Sequence, residues 1–418
     1  MNPRLFRNRN FMALWVGQMI SFIGDYFNWL AIPIVVNRLT GSAGMVGLSF
    51  ISNALPALLL GPIAGVFVDR LDRRKVMIAS DVLRGLLVLL LLTIQDASQV
   101  WVFYVVGFLI SCTSQFFFPS RGAVLPLVVP DEEDWLPANG LMQIIQTVGL
   151  LAGPAIAGFA IGLWGERVAF IANSVGYFCS ALAVMTMRVP RTTPGTNAES
   201  ATIRGVLADM REGLVYLFTN RSMLGVLICM SVAFLGIGAI NVIWVPYLQR
   251  TFGIGPQGLG MVDSAQGVGM VVGGLLLGIL ARRIPKVFLS AVGMLVIGLM
   301  FGSMGIVPVF WMIIGLNLFV GLALVPVQSA LATIMQLSVP DLKRGRVGSS
   351  LGAFNTLASL LSMSFASLFG EAIGLRNVFF IVGVFIVLSG ILAFWMLKEP
   401  ERKEIGGKPV AEAGGSIG

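Results

Sequence analysis

Twelve stretches of this sequence are apolar for about 20 residues each, the length at which a helix crosses the hydrocarbon core of a bilayer. They lie near residues 11–37, 44–68, 76–95, 100–120, 139–162 and 167–187, and near 222–248, 257–281, 287–304, 308–334, 346–370 and 376–397. Composition agrees: 56% of the residues are hydrophobic and 11% are charged, whereas a soluble domain carries roughly 25% charged residues. So few charges cannot cover so much apolar surface in water. Disorder is excluded as well, because it requires low hydrophobicity. The chain is therefore expected to be an all-α integral membrane protein with twelve transmembrane helices in two six-helix halves. The expected divisions are 1–187 for the first half, 188–221 for a linker, 222–397 for the second half and 398–418 for a polar, flexible tail.

The first run follows a basic start, Met1-Asn2-Pro3-Arg4, as a signal peptide would. It is too long for a signal-peptide core and no small-residue cleavage site ends it, so it reads as a retained helix. Between runs six and seven lies the only long polar segment. It carries Pro190, Pro194 and Gly195, then an amphipathic piece from Ile203 to Phe218. Such a segment suits a linker between halves.

Lysine and arginine collect on the cytoplasmic side of membrane proteins. With the N-terminus inside, the inner segments hold Arg4, Arg7, Arg9, Arg70, Arg73, Arg74, Lys75, Arg121, Arg188, Arg191, Arg204, Arg211 and Arg221. They also hold Arg282, Arg283, Lys286, Lys343, Arg344, Arg346, Lys398, Arg402, Lys403 and Lys408. The outer segments hold only Arg38, Arg167, Arg250 and Arg376. A split of 23 to 4 puts both termini in the cytoplasm, and it makes the net charge of +8 a sign of topology rather than of nucleic-acid binding. The location expected is the cell's inner, or plasma, membrane.

The two halves resemble each other. An offset of 213 aligns Asn28 with Asn241, Pro33 with Pro246, Gly47 with Gly260, Gly61 with Gly274 and Gly65 with Gly278. Both halves start inside, so the repeat is parallel and its axis runs along the membrane normal, an arrangement that puts a binding site at the midplane between halves.

After the second run stands Gly61-Pro62-Ile63-Ala64-Gly65-Val66-Phe67-Val68-Asp69-Arg70-Leu71-Asp72-Arg73-Arg74-Lys75. Gly61 and Gly65 form one small face that a neighbouring helix can approach closely. Asp69 sits where a carboxylate can meet the positive end of another helix. The stretch resembles the signature between the second and third helices of the major facilitator superfamily. Asp72 stands where that pattern has glycine, a feature shared with the macrolide-efflux and enterobactin-exporter branch. The resemblance implies gating roles for Gly65, Asp69, Arg70, Arg73 and Arg74 that hold the outward-facing state closed toward the cytoplasm. In the fifth run, Gly149, Gly153, Pro154 and Gly158 resemble the antiporter signature of the same superfamily, with Ala157 in place of one glycine. Pro154 removes a helix hydrogen bond, and the glycines are expected to let this helix pack tightly against the opposite half. The implied activity is export driven by proton exchange. Drug–proton antiporters of the family often carry an arginine in the middle of the fourth helix; here that run has Ser111, Thr113, Ser114 and Gln115, with Arg121 at its cytoplasmic end.

Ionisable groups inside a membrane are costly and point to function. Asp25 is the deepest, roughly 21 Å into the first run at 1.5 Å per residue. A carboxyl that takes up a proton facing one side and releases it facing the other couples transport to the proton gradient. Asp81 and Arg84, three apart in the third run, are expected to form a local ion pair near the gate. Asp263, six residues into the eighth run, suits a hydrated vestibule, and Glu371 and Arg376 bracket an outer loop. Candidate cavity polar groups are Gln18, Asn28, Gln115, Gln143, Gln146, Asn241, Asp263, Gln266, Asn317, Gln328 and Asn355. Tyr26, Trp29, Phe116, Trp244 and Phe354 are candidate apolar contacts.

The chain has no histidine, which removes Ser-His-Asp hydrolysis and histidine-based metal sites. Cys112, Cys179 and Cys229 all fall within apolar runs, as small buried residues do. The Gly-x-Ser-x-Gly match from Gly348 through Ser350 to Gly352 starts a membrane helix rather than a strand-to-helix turn. There is no phosphate-binding loop for ATP. No enzyme activity, metal or cofactor is expected. The expected partners are protons, the lipid bilayer and a small amphipathic substrate such as a drug, macrolide or siderophore, exported by a monomer through alternating access. A lysophospholipid transporter or lipid flippase shares this topology. A channel and a non-transporting receptor are alternatives of a different class.

Overall fold

The computed structural model describes residues 3–68, 70–189, 203–280 and 284–397. Asp69, Arg282, Arg283 and the tail lie outside the described residues, as does the first part of the linker. Fourteen α-helices cover most of the rest. Short α1 (Pro3–Arg7) leads into α2 (Arg9–Thr40), α3 (Ala43–Val68), α4 (Arg73–Leu90), α5 (Trp101–Val128), α6 (Trp135–Trp164) and α7 (Arg167–Thr186). After α8 (Ile203–Thr219) come α9 (Arg221–Phe252), α10 (Pro256–Leu280), α11 (Lys286–Met304), α12 (Phe310–Ser338), α13 (Arg344–Ile373) and α14 (Leu375–Met396). All but α1 and α8 belong to the twelve segments long and apolar enough to cross a membrane. A helix satisfies its own backbone hydrogen bonds, which lipid cannot.

Six of the twelve spanning helices outrun their apolar runs by about one or two turns. The largest difference is in α5, which continues to Val128 and thereby carries Arg121 inside the helix. Arg121 donates to Gln18 Oε1 at 3.3 Å and lies over the Phe118 ring.

The repeat is visible in the helix ends. Both α2 and α9 are 32 residues long. Each begins at an asparagine, Asn8 or Asn220, whose side chain accepts from the second and third following backbone amides. Each ends at a left-handed glycine, Gly41 at φ 62° or Gly253 at φ 65°, a conformation that glycine adopts without a Cβ penalty. These caps put α2 and α9 in register at an offset of 212, one less than the offset that aligns Gly47 with Gly260 in α3 and α10. Asn28 and Asn241 are thus one position out of step. Asn28 is buried against Asn173, while Asn241 faces the central cavity.

Within the first half α2 packs on α6 and α7, and α5 packs on α3 and α4; in the second α9 packs on α13 and α14, and α12 packs on α10 and α11. The halves meet along two seams, α3 with α13 and α6 with α10. Glycines record how far each seam runs. A Cβ added at Gly47 would collide with Ser367, and one at Gly260 with the Pro154 carbonyl, close to the Gly158 Cα. The two contacts are the same contact repeated, because Gly158 and Ser367 are each the twenty-fourth residue of a 30-residue helix. At the other ends of these four helices, a Cβ at Gly65, Gly140, Gly278 or Gly348 would meet nothing within 4 Å among the described residues. The halves therefore touch at the face where α2 and α9 end, here termed the latch face. They splay toward the face that carries α1 and α8, the linker face.

Helix α8 docks on the second half. Lys343 Nζ lies 3.0 Å from Glu212 Oε1, Arg346 pairs with Glu212 and with Asp209 at 2.9 Å, and Tyr216 donates to the Ser338 carbonyl. The hydrogen bond from Lys343 and the nearby positive charge of Arg346 hold the Glu212 carboxyl below its ordinary value.

Candidate functional site

Where the seams end, a cavity of about 480 Å³ opens between the halves. Its first-half wall includes Phe22, Asp25, Tyr26, Trp29 and Pro33 of α2, Phe50 of α3, and Leu150 and Pro154 of α6. Its second-half wall includes Asn241 and Trp244 of α9, Asp263 and Gln266 of α10, Phe301 of α11 and Asn317 of α12. A second chamber of about 390 Å³ shares Asp25, Trp29, Pro33 and Phe50 and reaches between α2, α3 and α5 toward Asn28, Arg84 and Gln115. A pocket of several hundred Å³, mostly apolar with a few polar groups, suits a drug-sized molecule.

Asp25 lies near the middle of α2 and stands on the wall common to both chambers. Its Oδ1 accepts from the Tyr177 hydroxyl at 2.6 Å and from Asn173 Nδ2 at 3.2 Å. The Arg84 guanidinium stacks on the Tyr177 ring at 4.5 Å and on Phe117 at 4.2 Å. Arg84 also pairs with Asp81, and both side chains are almost wholly buried. The local pair expected from their spacing is present. Asn173 and Tyr177, four apart on one face of α7, were not among the candidates. That spacing of two polar groups in an apolar run was a readable sign of them.

Asp263 faces the same cavity from the other half, and its Oδ1 accepts from Trp244 Nε1 at 3.0 Å. It is a cavity group rather than a vestibule one, because its depth in α10 matters less than its side of the helix. Tyr26, Trp29, Asn28, Gln115, Asn241, Gln266 and Asn317 also line one chamber or the other. Asn317 additionally donates to the Val262 carbonyl.

Five expected cavity groups are not among the residues lining either chamber. Gln18 is buried within the first half, donating to Ser180 Oγ at 3.1 Å. Gln143 and Gln146 are exposed on α6 and bond to each other, and Gln328 is exposed on α12. Asn355 is buried beside Met230. Of the aromatic candidates, Phe116 packs on Phe67 and Phe354 on Phe218, away from the cavity. Polarity inside an apolar run does not say which way a residue faces.

The two signature motifs also differ from expectation. No described neighbour approaches Gly65, so its small face is unused in this conformation. Asp72 takes a structural role: its side chain accepts from the Lys75 amide and caps α4, as N-terminal aspartates do. Arg73 reaches the Ala123 carbonyl, Arg74 donates to the carbonyls of Val184 and Met185 at the end of α7, and Arg70 follows in the turn. In α6, Gly149 and Gly153 seat the rings of Phe22 and Tyr26 in their own half. Of these three motif glycines, Gly158 is the one that meets the opposite half. The Ser350 hydroxyl donates to the Arg346 carbonyl within α13, as expected of a helical serine with no hydrolytic role.

A latch closes the far end of the cavity, and the sequence candidates did not include it. Arg250 of α9 donates to Glu371 of α13 at 3.1 Å, to the Gly41 carbonyl at 2.6 Å and to Asn37 Oδ1 at 3.3 Å. Glu371 also accepts from the Ala43 amide at 2.8 Å. Glu371 thus pairs with Arg250 of its own half and bonds across the halves to the Ala43 amide.

The sequence matches the Major Facilitator Superfamily over residues 14–239 and 226–417. The chain belongs to the Major Facilitator Superfamily. Among its relatives, macrolide efflux protein A of Streptococcus pyogenes is 26% identical, over 91% of this chain and 94% of that one. The multidrug efflux pump Tap of Mycobacterium bovis is also 26% identical, over 99% of both chains. The crystal structure of a bacterial homologue of the iron transporter ferroportin superposes with a TM-score of 0.74 in its inward-facing state. That alignment has 15% identity and covers 93% of this chain and 98% of the other. The outward-facing state of the ferroportin homologue gives 0.59, again at 15% identity, over 93% and 99%. This member of the superfamily is a multi-pass membrane transporter, not an enzyme.

Proposed function

We propose that this transporter exports amphipathic small molecules from the cytoplasm in exchange for protons, by alternating access across the plasma membrane. The observation that carries the reading is the cavity shared by the two halves, sealed at one face only, with Asp25 on its wall. The linker face is cytoplasmic, in keeping with the distribution of lysine and arginine, and the latch face is external. The structure then corresponds to an inward-facing state, consistent with the higher similarity to the inward-facing ferroportin homologue. The efflux named in both relatives supports the direction of transport.

In this reading Asp25 carries the proton. Tyr177 and Asn173 hold its carboxyl toward the cavity, and closure of the linker face moves its access to the other side. Gly65 gains its contact with a neighbouring helix in that second state. In this reading the segment 188–221 serves as the linker between the two halves.

The test is uptake into everted membrane vesicles under an imposed pH gradient, with a macrolide, a siderophore, a lipophilic dye and a lysolipid as probes. Wild type is expected to accumulate at least one non-lipid probe, and a protonophore to abolish the accumulation. Asp25→Asn is expected to keep binding but lose gradient dependence. Accumulation indifferent to the protonophore rejects proton coupling, and movement of the lysolipid alone favours the flippase alternative.

A further inference from the structure

The two acids on the cavity wall differ in their surroundings. Asp25 accepts from two side chains, and Arg84 lies just beyond the Tyr177 ring. Its half of the membrane interior thus supplies compensation for its charge. Asp263 accepts only a neutral indole N–H among the described residues. Among the described residues of α9 to α14, every lysine and arginine sits at or near a helix end or in a connecting turn, and none forms a salt bridge with Asp263. A membrane-embedded charge without a partner is costly, and a carboxyl so placed is relieved either by a proton or by a cation that enters the cavity.

We propose that Asp263 is the anchor for a monovalent organic cation, a tertiary amine or quaternary onium group attached to an apolar body. This deepens the exporter reading and rests on it. The Trp244 N–H holds one carboxylate oxygen and fixes the group's orientation toward the cavity. Trp244, Trp29 and Tyr26 border the same space, and aromatic rings attract cations more strongly when water is excluded. Phe22, Phe50 and Phe301 provide an apolar wall for the remainder of the ligand. Cation and proton then use different carboxylates, so binding and coupling are separable by mutation.

The experiment uses the full chain in nanodiscs and liposomes with two probes of similar body: the tetraphenylphosphonium cation and neutral triphenylphosphine oxide. Asp263→Asn is expected to weaken tetraphenylphosphonium binding by about tenfold or more, the scale for losing a desolvated charge partner. Binding of the neutral probe should stay unchanged, and Asp263→Glu should restore much of the cation affinity. Asp25→Asn should abolish gradient-driven export of the cation. Equal cation affinity in wild type and Asp263→Asn overturns the proposal, as does binding of neither probe. If wild type exports the neutral probe but not the cation, the proposal falls while the exporter reading stands. If wild type exports neither under a gradient, the exporter reading falls as well.

Discussion

Asn37 donates to Oε1 of Gln249 at 2.8 Å, and each is the fourth residue before the glycine that ends its helix, Gly41 for α2 and Gly253 for α9. Counterpart residues of two repeats can touch only on the axis that relates them. The contact therefore marks that axis, and the Arg250 latch is built around it.

Removing Arg250 should open the latch face. Its pair with Glu371 is half-exposed and contributes only about 0.2–1 kcal/mol, but its hydrogen bonds to Asn37 and the Gly41 carbonyl raise the loss to about 1–3 kcal/mol. Arg250→Gln should then shift the ratio of closed to open by about tenfold. Pulsed EPR distances between labels at Ser98 and Ile306 should lengthen in a larger share of molecules, and an unchanged distribution would contradict the latch.

The glycine seams predict an asymmetric response to added bulk. Gly260→Leu drives a side chain into the Pro154 carbonyl and Gly158, so the latch face should no longer close and transport should stop. Gly348→Leu meets open space in this conformation. It should leave the same EPR distance unaltered and impair only the opposite state. Identical behaviour of the two variants would contradict the one-sided seal.

The Asp81–Arg84 pair should show the cost of an unpaired buried charge. Asp81→Asn or Arg84→Met alone should destabilise the fold by about 3–5 kcal/mol, whereas Asp81→Leu combined with Arg84→Met should recover much of the loss. Thermal unfolding in detergent separates the outcomes. Single variants as stable as wild type would mean that the pair is open to water.

Docking of α8 should depend on pH. Because Lys343 and Arg346 hold the Glu212 carboxyl below its ordinary value, its ion pairs are intact above the normal carboxylate range. They are lost as pH falls through the lowered value. Hydrogen exchange of α8 should accelerate only in acid, and Glu212→Gln should remove that pH dependence. Added salt should weaken the docking too, as the pairs are partly exposed. A flat profile in the native chain would count against the docking contact.

Much of the site was legible where the signal is local. Asp81 and Arg84 are three apart on one helix, and a carboxylate at Asp25 in an apolar run declares itself. Gln18, Gln143, Gln328 and Asn355 were equally conspicuous as polar residues, yet none lines the cavity. Facing depends on the rotation of each helix, and one residue turns a side chain by about 100°. The off-by-one register of α2 and α9 is such a rotation, and it turns Asn28 to Asn173 and the second chamber and Asn241 to the central cavity.

The sequence by itself determined the twelve spans, the repeat and the rarity of buried charge, because lipid imposes length and apolarity on every crossing segment. Tertiary structure decided which glycines seal the halves, which acid stands unpaired and what closes the latch. Arg250 meets Asn37 across 213 positions and Glu371 meets the Ala43 amide across 328, and Gly47 meets Ser367 from the other end of the chain. Such contacts follow from how two bundles lean against each other, a property that no local spacing encodes.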